Sequence, residues 1–354
     1  MGMANKAGSD IDLEESLKII IVRLYSFIAV GLLSTYIAVL PLGIYIFYFT
    51  PEGLEFSSKN VSNLVMYLFY SSSLRLTGPF SIGSIFILLT LIFSVAFATA
   101  FFSNKYYLTS LKDFFRSTDP SKITANFLLL MPALCSLALF SFSAINRIAE
   151  SVGLPVGDIS FSDPFQEILF TSYAAGIEEL SFRLIPIAFP VAVYLLFRAS
   201  STVSSMPLRK RLVLIPMALL KPASFQARLA IPTDRDLKSL EIILVLCSSL
   251  LFAYAHIVSG TWGTGKLITT FIGGLMLGYC CIRYGFDSAL IIHWFFNTYW
   301  SVLSLSADIS FPFSLLNDFS YNTTLYLGFL SLIVLAYAVA YWVLCKRRTS
   351  KVSP

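Results

Sequence analysis

FQEILFTSYAAGIEELSFRLIPIAFPVAVYLLF (Phe165–Phe197) is an apolar run of 33 residues that carries two adjacent carboxylates, a guanidinium and two prolines. About 20 helical residues suffice to cross the hydrocarbon core of a bilayer, so this run exceeds one simple crossing. Proline removes a backbone donor and clashes with the preceding turn, so a kink or break is expected near Pro186. Charged side chains at a membrane helix centre cost at least about 2.5 kcal/mol each on insertion scales, so Glu178, Glu179 and Arg183 are there for a reason.

The rest of the chain agrees with a membrane setting. Its 354 residues are 56% hydrophobic and 13% charged, where a soluble domain has roughly 25% charged residues. Only helices and closed barrels satisfy their backbone polar groups in lipid, and long continuous apolar runs call for helices. Further spans are expected near Leu24–Phe49, Phe80–Phe102, Ala125–Ile145, Leu240–Val258, Leu267–Ile282, Phe286–Leu303 and Leu325–Cys345. The fold class is therefore all-α, a polytopic membrane protein of about eight helices. Three N-terminal spans would fill 1–160, spans four to seven a core over 161–310, and a last span with a basic tail 311–354. Leu212–Leu220 is too brief to span and suits a re-entrant or interfacial piece.

Eight crossings put both termini and the even-numbered loops on one side. Of the 25 Lys and Arg residues, 20 fall on that side and 4 on the other, with Arg183 inside a span. The positive-inside rule then makes both termini cytoplasmic. Arg198–Ser239 is the most basic soluble segment and reads as a topology anchor on anionic lipid. The net charge of +5 is thus topological, and no nucleic-acid partner is implied. Five scattered cysteines (Cys135, Cys247, Cys280, Cys281, Cys345) form no C-x-x-C pair and read as small apolar packing residues. The opening residues show no cleavable signal pattern.

Three spans carry polar groups at helical spacing. Glu179 and Arg183 are i and i+4 and can pair on one face, while Glu178 points about 100° away and is left free for chemistry. Phe252 and His256 share a face near the end of the fifth span. His293 and Asn297 share a face in the seventh. The chain has 2 histidines, and both sit in apolar helices. Gly274 and Gly278 of the sixth span form a small-x-x-x-small face that would let it pack closely and hold its neighbours in register. Each polar piece has a bland counterpart, interhelical hydrogen bonding or a buried brace. The set in three separate spans is the functional signal.

E-E-x-x-x-R, F-x-x-x-H and H-x-x-x-N, in this order and each in its own span, resemble the motifs of the CPBP family of intramembrane proteases. This is also called the abortive-infection family and includes the type II CAAX prenyl endopeptidases. The likeness covers roughly Phe165–Leu303; one departure is Leu184, which follows Arg183 where the family often has Gly. The resemblance implies Glu178 as general base toward a water, His256 positioning that water or the substrate, and His293 with Asn297 holding the oxyanion. Glu179 and Arg183 would hold the fourth helix, with Phe252 in support. Glu178, His256 and His293 are equally a competent zinc set with an open position, so zinc and metal-free forms both stand. H-E-x-x-H spacing is absent, which favours the form that requires no cofactor.

The expected activity is endoproteolysis of a membrane-associated peptide or protein near the cytoplasmic face; in the CAAX branch the substrate is a prenylated tail. A proton-coupled transporter and a non-catalytic immunity or scaffold protein are the competing readings, although no inverted repeat supports a carrier. Partners would be lipid and a peptide substrate, with oligomeric state open. A prokaryotic chain would sit in the plasma membrane, a eukaryotic one in the endoplasmic reticulum. With a break near Pro186, Glu178 and His293 would lie about 10 Å from the cytoplasmic face, and His256 deeper.

Overall fold

The computed structural model describes residues 4–69, 72–103, 106–117, 119–260 and 262–350. A long first helix, α1 (Ala4–Phe49), leads into the short α2 (Pro51–Ser58) and an antiparallel hairpin, β1 (Asn60–Phe69) and β2 (Ser72–Ser81). Then come α3 (Ile82–Phe101), the short α4 (Tyr107–Phe115), α5 (Phe127–Ser151) and α6 (Pro164–Arg198). Three short helices, α7 (Ser200–Ser204), α8 (Leu208–Leu220) and α9 (Pro222–Arg228), precede α10 (Arg235–Val258) and α11 (Lys266–Tyr284). Residues 286–309 form one unbroken helix, α12, and α13 (Phe311–Ser350) closes the chain.

Seven of these helices are long and apolar enough to cross a membrane. The remaining span of the expected eight is α12. Asp287, His293 and Asn297 lower its hydropathy, yet its residues 289–295 are all buried. It is the central helix of the bundle, shielded by protein rather than by lipid. Trp294 meets Phe97 edge-on at 5.6 Å between ring centroids, and Tyr36 of α1 meets Tyr299 at 5.0 Å. The Thr35 and Tyr299 hydroxyls share a 2.8 Å hydrogen bond beside them.

The outer faces are apolar and exposed: Leu88, Leu91 and Val95 on α3, and Leu246, Leu250 and Leu251 on α10. Continuous faces of this kind have no favourable contact with water and are matched by acyl chains. The protein is a multi-pass integral membrane protein. The β1–β2 hairpin departs from an otherwise helical architecture. Its two strands are too short for a helical span and satisfy each other's backbone groups instead.

The fourth span does not break at Pro186. Leu180–Ala188 is π-helical, and α-helix resumes to Arg198. The wider turn absorbs the missing proline donor: the Phe189 N–H donates to the Leu184 carbonyl five residues back. The Ser248 hydroxyl of α10 donates to the Phe182 carbonyl, so a neighbouring helix satisfies a group freed by the irregular turn. Leu212–Leu220 lies within α8, whose Leu208, Leu212 and Ile215 are exposed.

The small residues of α11 do what their spacing suggests. A Cβ on Gly274 would stand 2.9 Å from Ser249 Cβ, and one on Gly278 would stand 3.0 Å from Val245 Cγ1. Gly274 thus packs on the α10 backbone, with Ser249 Cα 3.0 Å from that position, and Gly278 packs on the Val245 side chain. Gly285, at φ +116°, turns the chain directly from α11 into α12. Cys135, Cys280 and Cys281 are buried free thiols and Cys247 is an exposed one; the Cys345 side chain lies outside the described residues.

Candidate active site

α6 supplies two carboxylates with opposite surroundings. Glu179 is fully buried, whereas the Glu178 side chain is 27% exposed and faces a cavity of about 470 Å³. The 100° step between neighbouring helical residues produces this division. Phe252, His256, His293 and Asn297 line the same cavity, so the four candidate catalytic residues from three helices share one space.

His293 stands between the two carboxylates. Its Nδ1 donates to Glu179 Oε1 at 2.7 Å, and its Nε2 lies 3.4 Å from Glu178 Oε2. Arg183 Nη1 sits 3.5 Å from Glu179 Oε1, in the expected i, i+4 pair, even though the π-helical stretch begins between them. The guanidinium also lies 4.2 Å from the centroid of the Phe252 ring. Arg183 is almost wholly buried, so its charge is met by one carboxylate and by the rings of Phe252 and, at 6.0 Å, Phe182. Phe252 in turn touches both histidines, with ring centroids 4.5 Å from His256 and 6.0 Å from His293.

His256 is placed differently from its partner. Its Nδ1 donates to the Phe252 carbonyl one turn back at 2.9 Å, which turns Nε2 away from its own backbone. α10 ends two residues later, and the following turn is tied to the α5–α6 loop by the Gly263 and Gly265 N–H groups, which donate to Val156 and Pro155. The end of α10 thus lies under a loop, which brings His256 to the level of the cavity. Because α6 continues unbroken to Arg198, Glu178 is about 20 Å from the Pro164 end and further from Arg198. The shallow position expected from a break at Pro186 is therefore corrected.

Asn297 falls inside a second π-helical stretch, Phe295–Tyr299. Each π segment begins within two residues of a site residue, one after Glu179 and one after His293. Such segments concentrate at functional sites because they re-aim side chains without ending the helix. The Thr298 hydroxyl donates to Ser172 at 3.1 Å, joining α12 to α6 behind Asn297.

Sequence reasoning missed three features. It paired Glu179 with Arg183 but not with His293, 114 residues away, because spacing reports only neighbours on one helix. It did not foresee the π geometry. It also passed over Glu167, which lines the cavity and accepts a 2.7 Å hydrogen bond from Ser301. The stripe Glu167, Thr171, Ala174, Glu178 repeats at three or four residues and was the available signal.

The zinc alternative draws on the same three side chains. Among the described residues, no group of three or more His, Cys, Asp or Glu side chains is disposed to hold a metal ion. His293 donates from Nδ1 to Glu179 and His256 from Nδ1 to its own helix, which leaves Nε2 of each ring for the cavity, an arrangement compatible with either chemistry.

No curated protein and no solved structure matches the chain. Residues 162–299 match the family described as type II CAAX prenyl endopeptidase Rce1-like, a family of membrane proteases. That segment holds all three polar motifs and the helices that bring them together, and over it the chain is similar to this family.

Proposed function

We propose that this chain is an intramembrane endopeptidase in which Glu178 is the general base of a metal-free hydrolysis. The observation that carries the reading is the convergence of Glu178, His256, His293 and Asn297 on one cavity. Glu178 takes a proton from water as the water oxygen attacks the peptide carbonyl carbon. The carbonyl oxygen gains the electron pair and becomes the oxyanion. When the tetrahedral intermediate collapses, the C–N bond breaks and the proton passes to the leaving nitrogen.

His293 can donate to the oxyanion only with a proton on Nε2 while Nδ1 donates to Glu179, that is, as the doubly protonated ring. The Glu179 carboxylate is the group that accommodates this form. Asn297 supplies a second donor from its amide, and His256 directs Nε2 toward the same space to position water or substrate. In a site shielded from bulk solvent, such preoriented donors are worth more than in water. Phe142, Phe161, Phe170 and Phe296 give the cavity aromatic walls that suit an apolar side chain or an isoprenoid.

The test is cleavage of a farnesylated tail peptide and of its unprenylated counterpart by the purified full-length protein, beside Glu178→Ala. Glu178-dependent cleavage is expected. Equal cleavage by wild type and variant would remove Glu178 from its role.

A further inference from the structure

We propose that the groove between α1 and α4 binds one phospholipid with an anionic headgroup. Its acyl chain lies along the apolar walls of the groove, and its phosphate meets Arg23, Lys112 and Arg116. Binding there needs no turnover at Glu178.

Two helical faces make the groove. On α1, Phe27 and Val30 stand one turn apart; on α4, Leu108, Leu111 and Phe115 repeat at three and four residues. Together they border a space of about 430 Å³, within the range of small-molecule sites. The walls are held from behind. Phe114 is buried and meets Tyr25 edge-on at 5.9 Å, and the Tyr25 hydroxyl donates to the Leu129 carbonyl of α5 at 2.7 Å. Phe115 meets Phe27 edge-on at 5.7 Å and joins the two walls. Phe27 and Leu108 are exposed, so the groove opens on the outer face of the bundle.

The groove also lies at the depth of lipid headgroups. α4 has 9 residues, too few to cross a bilayer, and it belongs to the connection between α3 and α5, so it lies at a membrane surface. The apolar stretch of α1, Glu15–Phe49, has 35 residues and is about 50 Å long against a hydrocarbon core of about 30 Å, so its end beside α4 reaches the headgroups. Three exposed cations meet there. The Arg23 guanidinium lies 5.6 Å from the centroid of the Phe115 ring, and Lys112 and Arg116, one turn apart, line the groove. α4 carries one carboxylate, Asp113, so cations are in excess. An apolar slot that ends in cations complements an acyl chain joined to a phosphate. Guanidinium forks match phosphate oxygens in pairs, and the ammonium meets them as a point charge. A zwitterionic headgroup would return a cation to the cluster, and a second copy of this chain, at net charge +5, would add like charge.

Photo-crosslinking of the purified full-length protein tests the site, with phosphatidylglycerol that carries a diazirine in one acyl chain. Labels should concentrate on residues 23–30 and 107–116 and exceed those on the exposed faces of α3 and α10. Unlabelled phosphatidylglycerol should compete roughly tenfold better than phosphatidylcholine with the same chains, and inorganic phosphate at equal concentration should not compete. Arg23→Gln, Lys112→Gln and Arg116→Gln together should lower labelling of the groove about tenfold, with labelling of α3 and α10 and the melting temperature in lipid-free detergent unchanged. Arg209→Gln with Lys210→Gln, both exposed on α8, should leave the groove labelled as in wild type. Uniform labelling of every apolar face, or equal competition by the two lipids, would reduce the groove to ordinary lipid contact and overturn the proposal. Competition by inorganic phosphate would show an anion site indifferent to the acyl chain, and crosslinks between two copies through the groove would assign it to a dimer; either result also overturns it. The wild-type competition decides the matter even if the triple variant fails to fold.

Discussion

His293 Nδ1 donates to Glu179 Oε1 at 2.7 Å, and this bond joins the central helix of the bundle to the helix that carries Glu178. It sets which nitrogen of His293 faces the cavity, and so couples a buried carboxylate to the chemistry without exposing it.

Glu179→Gln tests that coupling. The amide keeps the shape and an acceptor oxygen but loses the charge that accommodates a doubly protonated His293. Peptidase kcat should fall by roughly 10²–10⁴-fold, the range for loss of acid–base positioning, with KM little changed. An unaltered kcat would show that His293 needs no anionic partner.

Arg183→Met removes the guanidinium partner of the buried Glu179 and leaves it only the hydrogen bond from His293. Removing one partner of a buried pair costs about 3–5 kcal/mol, so thermal unfolding in detergent should shift strongly downward. Arg183→Met with Glu179→Gln should recover much of the loss, since both charges are then gone. Arg183→Lys should recover less than its charge suggests, because an ammonium lacks the flat face that lies on Phe252.

Gly274→Ala places a methyl where Ser249 Cβ already stands 2.9 Å away, with backbone behind it. α11 and α10 must separate, at about 1–3 kcal/mol for overpacking. Because α10 carries His256, activity should fall together with the melting temperature. A folded, fully active variant would show that the spacing between these helices does not set the site.

Chelation separates the two chemistries the sequence leaves open. Prolonged treatment with a strong zinc chelator should leave peptidase activity unchanged, and elemental analysis of the active protein should find no stoichiometric zinc. Activity lost on chelation and restored by zinc would overturn the metal-free mechanism.

Local composition is enough to place most of this protein in lipid, because the energy of a span depends on its own side chains. The spans over Phe165–Phe197 and Leu240–Val258 are therefore found in the sequence to within a few residues of the helices formed. The cost of burying charge likewise marks Glu178, Glu179, Arg183, His256 and His293 before any fold is known. What the chain alone could not reveal depends on partners distant in sequence. Glu179 meets His293 across 114 positions, and Pro186 stays within an unbroken helix because the turn widens and Ser248 of another helix occupies a freed carbonyl. The depth of His256 follows from how Gly263 and Gly265 donate to the carbonyls of Val156 and Pro155. Packing between separate segments decides that contact, and no helical period encodes it.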